Sequence, residues 1–150
     1  MKESPQNKKL EEILRSSKFA AGGFLGGDKR SVPEIIDADL SELSKSGYNI
    51  EQVVDRMQEI TNAAIAGLGT WVTIDKFRQA KVDEAKGQLP CPWPHPARFA
   101  KRITILRHAD FDETIMWSDL NIHLIAEHGF FEGRDSDFRV EPGRLIAMIF

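Results

Sequence analysis

Apolar residues recur every three or four positions through much of the N-terminal half of the chain, which is the spacing of helices that bury one face. The first predicted helix covers residues 7–21. The glycine-rich residues 22–30 that follow match no phosphate-binding motif and are expected to be a linker. The second helix has Pro33 in its first turn, and the third begins after Asn49, which is placed to form a capping box with Gln52. We therefore expect a helical N-terminal half.

The pattern changes in the second half of the chain. Residues 71–74 carry the β-branched and aromatic side chains of a short strand, and residues 102–107 and 114–117 predict a hairpin around a polar turn. Residues 75–87 fit both a helical and an alternating period, because apolar residues alternate with charged ones over part of the segment. Of the two, we expect a helix there.

Two more helices are predicted near the C-terminus, one capped by Ser118 over residues 119–128 and one with Pro142 in its first turn. Together these elements predict an α+β fold, with a helical N-terminal half followed by a small antiparallel β-hairpin or sheet and two further helices. A chain of 150 residues has the ordinary length of one domain. We expect residues 1–8 to form a polar tail and residues 9–150 a single α+β domain.

Residues 89–96 have the sequence Leu-Pro-Cys-Pro-Trp-Pro-His-Pro, with a proline at every second position. Proline has no backbone N–H and disfavours a helical conformation of the residue before it. We therefore expect an extended, polyproline-like segment that is neither helix nor central strand. This segment carries Cys91 and His95.

Composition narrows the class of protein. Hydrophobic residues make up 41% and charged residues 29% of the chain, as in ordinary soluble globular proteins. No apolar run is long enough to span a bilayer, and the first residues lack the apolar stretch of a secretory signal. We expect a cytoplasmic protein without a membrane partner. Its one cysteine excludes an internal disulfide.

The net charge of −3 conceals four segments of alternating sign. Their net charges are +3, −5, +5 and −6 for residues 1–30, 31–69, 70–108 and 109–150. We expect the basic third segment to face acidic neighbours within the fold, whereas a nucleic-acid surface keeps an unneutralised basic excess. Nucleic acid is therefore not an expected partner.

All four histidines and the single cysteine lie between Cys91 and His128. Three residues separate Cys91 from His95, and four separate His123 from His128, which is the spacing of ligand pairs in structural zinc sites. These four residues could close a tetrahedron around a zinc ion. Their alternative roles are structural: Cys91 as a small buried apolar side chain, His123 in the core or as a cap, and His128 as a cation at a helix C-terminus.

Helix geometry counts against a simple pair of ligands on one helix. Five residues along an ideal helix turn through about 140°, which would direct His123 and His128 to different faces unless the helix is distorted near Gly129. His108, the remaining histidine, lies beside the predicted hairpin turn, where we expect a solvated loop residue, so it ranks behind the other three histidines as a ligand.

Two resemblances bear on the cluster. The segment from Leu120 to His128 resembles the helical half of a Cys2His2 zinc finger, although the paired cysteines that precede the helix in a finger are missing. Residues 90–96, taken with 117–123 and 127–131, are similar to uncharacterised bacterial proteins. That resemblance implies no activity, cofactor or catalytic residue.

Three functions are consistent with these features. The first is a binding or regulatory module with a structural zinc ion and an unidentified protein or small-molecule partner. The second is a small metal-dependent hydrolase that uses three of the ligands, with Asp119 or Glu127 as a base or as an orienting partner. The inverted zinc-protease motif H-x-x-E-H is absent, since three residues separate His123 from Glu127. The third is a homo-oligomer with an interface formed by its aromatic residues, among them Trp93, Trp117, Phe130 and Phe131.

Overall fold

The computed structural model describes residues 5–16 and 23–150. Within these two ranges the chain forms five helices and a four-stranded antiparallel sheet with the strand order β1-β2-β3-β4. The α+β fold is therefore confirmed, with three helices before the sheet and two after it. The elements are α1 (Pro5–Arg15), α2 (Val32–Lys45), α3 (Ile50–Ile65), β1 (Val72–Thr73), β2 (Arg78–Pro90), β3 (Arg98–His108), β4 (Glu113–Ser118), α4 (Asp119–His128) and α5 (Pro142–Ile149).

Side-chain caps define three of the helix starts. Ser31, Asn49 and Ser118 each accept a hydrogen bond from the backbone N–H three residues further on, and the side chain at that position accepts one from the backbone of the cap. The predicted starts of α2, α3 and α4 are confirmed, and α5 begins at Pro142 as expected. In the described part of the chain, no helix is both long and apolar enough to cross a membrane.

The first helix covers Pro5–Arg15, so it begins two residues earlier than predicted. The part of the prediction that falls on residues 17–21 lies outside the described part of the chain. The glycine-rich stretch that follows packs closely against another loop, because a Cβ atom on Gly26 would lie 2.4 Å from the backbone nitrogen of Ser136. Glycine at this position allows that close approach.

Residues 75–87, for which we expect a helix, belong largely to a strand. β2 covers Arg78–Pro90 and pairs with both neighbouring strands, so that Ala80 lies opposite Val72 in β1 and opposite Leu106 in β3. Alternate side chains are buried in the first part of β2. The helix prediction is wrong because pairing on both sides and burial of one face outweigh a loose helical period.

The prolines do not keep all of residues 89–96 out of the sheet. Leu89 pairs with Phe99, and Pro90 pairs with Arg98 at the end of β2. β1 pairs only with the beginning of β2, so the far end of β2 has one neighbouring strand, where a missing N–H is tolerated. The expected irregular segment is therefore shortened to a loop over residues 91–97.

The first apolar cluster lies between the sheet and helices α3 and α5. Within it, Thr61 of α3 shares a hydrogen bond of 2.6 Å with Thr104 of β3 and accepts one of 2.9 Å from the indole N–H of Trp117 in β4. All three side chains are buried. Trp117, like Phe130 and Phe131, is therefore part of the interior of the chain and is not available for the aromatic interface of a homo-oligomer.

A second apolar cluster lies on another side of α4. Ile122 and Ile125 of α4 belong to the first cluster, whereas Leu120 and Leu124 pack with Cys91 in the second. A helix that is apolar on several sides is buried between two layers. α4 consequently packs beside the loop of residues 91–97.

Candidate metal centre

The loop of residues 91–97 joins β2 to β3 and carries two of the four candidate ligands. Its alternate prolines leave four backbone N–H groups. Three of them donate to carbonyl groups within the loop at 2.8–3.0 Å: Cys91 to Ala97, His95 to Trp93, and Ala97 to His95. The fourth, of Trp93, hydrogen-bonds to the Cys91 side chain. Every available N–H of the loop is thus used, which gives a proline-rich segment a defined conformation.

The other two candidate ligands are on α4. His123 lies near the middle of the helix and His128 is its last residue, after which Gly129 adopts a left-handed conformation with φ of 62°. The two imidazole rings have centroids 5.3 Å apart and planes inclined by 81°. The pair therefore converges although its positions are five residues apart on the helix.

His95 lies between the two helix histidines. Its Nε2 atom is 3.3 Å from Nε2 of His123 and 3.1 Å from Nε2 of His128, and Sγ of Cys91 is 3.5 Å from Nε2 of His128. One donor atom from each of the four residues lies within 4.8 Å of the other three. The four side chains proposed from their spacing in the sequence thus form one cluster that could hold a metal ion.

Burial favours the neutral forms of Cys91, His123 and His128. It raises the pKa of the Cys91 thiol, and the hydrogen bond from the Trp93 N–H opposes this change. Burial, together with the neighbouring His123 and His95 rings, lowers the pKa of His128 to about 4. Burial and His95 also lower the pKa of His123. The neutral form of imidazole binds a metal ion, because one of its ring nitrogens has a free lone pair.

Two aromatic rings cover the cluster. Trp93 stacks on His128, with ring centroids 4.1 Å apart and planes inclined by 8°, and Phe99 lies 4.5 Å from the ring of His123. Trp93 also makes an edge contact with the buried ring of Phe130 at 5.4 Å. Phe99 carries no sequence signal for this site, because its position depends on the register between β2 and β3.

The two candidate bases are not bonded to the cluster. Asp119 accepts a hydrogen bond of 2.9 Å from Arg102, which also bonds to Glu84, and burial raises the pKa of Asp119 despite this partner. Glu127 is exposed, and its charge opposes the lowering of the pKa values of His123 and His128. Among the described residues, neither carboxylate accepts a hydrogen bond from a candidate ligand.

His108 is not part of the cluster, and the expectation that it is a solvated loop residue is wrong. It is the last residue of β3 and only 6% exposed. Its ring lies 5.9 Å from that of Phe77 and 4.5 Å from that of Phe111, and its Nδ1 atom accepts a hydrogen bond from the backbone of Asp110. Packing at the end of the hairpin accounts for this histidine.

Comparison with protein-family models, with curated proteins and with solved structures finds no match to this chain. This agrees with a resemblance to proteins that have no assigned activity, and a bacterial origin stays a prediction. The chemistry of the four clustered side chains is therefore the basis for a functional proposal.

Proposed function

We propose that this chain is a binding or regulatory module in which one structural zinc ion fastens the loop of residues 91–97 to α4. The ligands are Cys91, His95, His123 and His128. The observation that carries the proposal is the grouping of three imidazole nitrogens and one sulfur, with neighbouring donor atoms 3.1–3.5 Å apart.

These separations are close to the edges of a zinc tetrahedron. With Zn–N bonds of about 2.0–2.1 Å and a Zn–S bond of about 2.3 Å, two nitrogen ligands are about 3.3–3.4 Å apart, and a nitrogen and a sulfur ligand about 3.6 Å. His95 and His123 are separated by 3.3 Å, and Cys91 and His128 by 3.5 Å. All four donor atoms lie within 4.8 Å of one another, and side-chain rotations that bring the wider pairs closer would complete the tetrahedron.

Hydrogen bonds alone do not account for this arrangement. A neutral imidazole nitrogen carries either one N–H or one lone pair, so it makes one hydrogen bond along one direction. Nε2 of His95 has two imidazole neighbours within 3.3 Å, and Nε2 of His128 has both an imidazole and a thiol neighbour. A cation in the centre satisfies all four donor atoms at once.

The donor set favours zinc in a structural role. Imidazole and thiolate ligands suit zinc, whereas magnesium and calcium select oxygen ligands. Four protein ligands fill a tetrahedral coordination sphere, and a hydrolytic zinc ion needs a position for water. Glu127 and Asp119, the bases that a hydrolase would use, are both without a hydrogen bond to these ligands in the described part of the chain.

The test is elemental analysis of protein purified without a histidine tag. We expect one zinc ion per chain. Replacement of zinc by Co²⁺ should give the visible absorption of tetrahedral cobalt and a thiolate-to-cobalt charge-transfer band, and Cys91→Ser should remove that band. His95→Ala and His123→Ala should weaken binding of Co²⁺ by at least about tenfold.

The matched control is His108→Asn, which removes the histidine outside the cluster and should keep the full zinc content. A folded wild-type protein that binds neither zinc nor Co²⁺ would refute the proposal. Retention of the charge-transfer band by Cys91→Ser would refute the ligand set. A cobalt spectrum with a bound, exchangeable water would instead support the hydrolase.

A further inference from the structure

A cavity of about 360 Å³ opens beside the middle of β2 and β3, near the N-terminal end of α4. Small-molecule sites are typically concave, mostly apolar and of this size or larger. None of the described residues of the candidate metal centre lines it. Its apolar wall consists of Phe24, Leu89, Ile103, Leu120 and Phe138.

The wall combines buried and accessible parts. Phe24 and Leu120 are each 3% exposed and belong to the second apolar cluster, so they form a fixed inner surface. Leu89, Ile103 and Phe138 are half-buried, which leaves apolar surface open towards the entrance. A ligand could therefore place an apolar group inside without displacing the core.

The charges around the cavity are not balanced. Glu84 and Arg102 neutralise one another through an ion pair of 2.8 Å, and Arg102 also contacts Asp119. Asp83 and Asp137 both line the cavity, are exposed, and have no ion-pair partner among the described residues.

Lys101 is the remaining cation on the lining, and its side chain extends beside Gly87. A Cβ atom on Gly87 would lie 3.7 Å from the Cε atom of Lys101. The lining also includes Glu132, which is 3% exposed and whose carboxyl group accepts a hydrogen bond of 2.6 Å from Asn121. With Lys101 set against Asp83 and Asp137, the lining keeps an excess of one acidic charge next to an apolar interior.

We propose that this cavity is a binding site for a small organic cation with a compact apolar or aromatic body. The body packs against Phe24 and Leu120, and the ammonium group faces Asp83 and Asp137. Opposite charge at an entrance with apolar walls attracts such a ligand, and burial of its body supplies most of the affinity. This site is separate from the candidate metal centre and does not depend on zinc.

The test uses three probes with the same aromatic body: phenethylamine, 2-phenylethanol and phenylacetate. Titration calorimetry and amide chemical shifts at pH 7 should show saturable binding of the amine. The alcohol should bind more weakly, and phenylacetate at least about tenfold more weakly than the amine. The shifted amides should be those of the cavity lining, around Ile103, Leu120 and Phe138.

Two variants test separately how the charge and the shape of the cavity contribute to binding. Asp83→Asn combined with Asp137→Asn should weaken phenethylamine about fivefold or more and leave 2-phenylethanol unchanged, because only the amine contacts the lost charges. Ile103→Trp should fill the cavity and weaken all three probes. The matched control is Asp37→Asn combined with Asp55→Asn, which removes two exposed carboxylates from α2 and α3, away from the cavity.

Preference for phenylacetate would overturn the proposal, as would equal effects of the two double variants on the amine. Absence of binding by all three probes to the folded wild-type protein would overturn it too. Thermal unfolding of each variant confirms that it is folded before binding is measured.

Discussion

Glu132 is a carboxyl group almost fully removed from water. Burial raises its pKa to about 7, and hydrogen bonds from Asn121 and Ser136 oppose part of that rise. Nearby Asp137 raises this pKa further and Arg139 lowers it. Because the pKa is higher in the folded than in the unfolded chain, this group stabilises the fold fully below about pH 4.5, and the contribution is lost as pH rises through about 7.

We therefore predict that Glu132→Gln changes the pH dependence of stability. Glutamine resembles the protonated acid, so the wild type should lose free energy of unfolding relative to this variant between pH 5 and pH 8, by up to about 3 kcal/mol. Urea unfolding across this range measures the difference. Glu51→Gln, at an exposed position of α3, should give a curve parallel to the wild type. A constant difference for Glu132→Gln would contradict the assigned pKa.

Gly133 is a second residue whose identity follows from its surroundings. A Cβ atom there would lie 2.3 Å from the carbonyl oxygen of Leu25, which is backbone and cannot rotate away. Gly133→Ala should therefore lower the free energy of unfolding by about 1–3 kcal/mol in urea titrations. Gly143→Ala is the control, since its nearest contact is the flexible end of Glu42 at 3.1 Å and alanine favours a helix. Equal losses for the two variants would show that the close approach at Gly133 is unimportant.

At the scale of elements, Arg139 links α2 to the segment between α4 and α5. Its guanidinium group bonds to Asp39 of α2, with one contact of 2.8 Å, and to the backbone carbonyl of Glu132 at 2.7 Å. The side chains of Arg139 and Asp39 are only 9% and 7% exposed. Removal of one partner would leave a buried charge without compensation.

Arg139→Met should consequently lower the free energy of unfolding by about 3–5 kcal/mol, whereas combining it with Asp39→Leu should recover a large part of that loss. Arg144→Met, which removes a half-exposed ion pair with Glu113, should cost less than about 1 kcal/mol. Urea unfolding of the four proteins decides between these outcomes. A double variant as unstable as Arg139→Met alone would argue against an uncompensated charge as the cause.

At the scale of the whole molecule, the proposed zinc ion connects a hairpin loop to the helix that separates the two apolar clusters. An ion that binds only the folded chain stabilises it by about 2.7 kcal/mol at a free concentration of 100 times its Kd. We predict that zinc raises the Tm of metal-free protein and slows amide hydrogen exchange of residues 91–97.

Cys91→Ser provides the comparison for this prediction, because serine keeps the size of the side chain and removes the thiolate. Its Tm should respond much less to zinc. Equal responses of the two proteins would mean that zinc acts elsewhere on the chain.

The sequence predicts helix starts better than it predicts strands and buried residues. Helix starts are local features, since a cap and its partner are three residues apart. Asn49 and Ser118 cap α3 and α4 as expected, and Pro33 lies in the first turn of α2. The helix prediction for residues 75–87 is wrong because the alternating apolar residues of β2 gain their advantage only from pairing with β1 and β3, which a local period does not show. His108 was also misjudged, since its burial depends on Phe77 in another hairpin.

The candidate metal centre likewise has one part that the sequence predicts and one part that it does not. Spacing along the chain identified Cys91, His95, His123 and His128 as a group, because the ligand pairs of metal sites are close in sequence. Whether the two pairs meet depends on the register of β2 with β3 and on the packing of α4, which bring together residues on opposite sides of β4 in the sequence. Local residue chemistry thus determined the helices and the candidate ligands. The tertiary structure alone decided the sheet, the aromatic cover and the convergence of the four donor atoms, because these depend on contacts between distant segments.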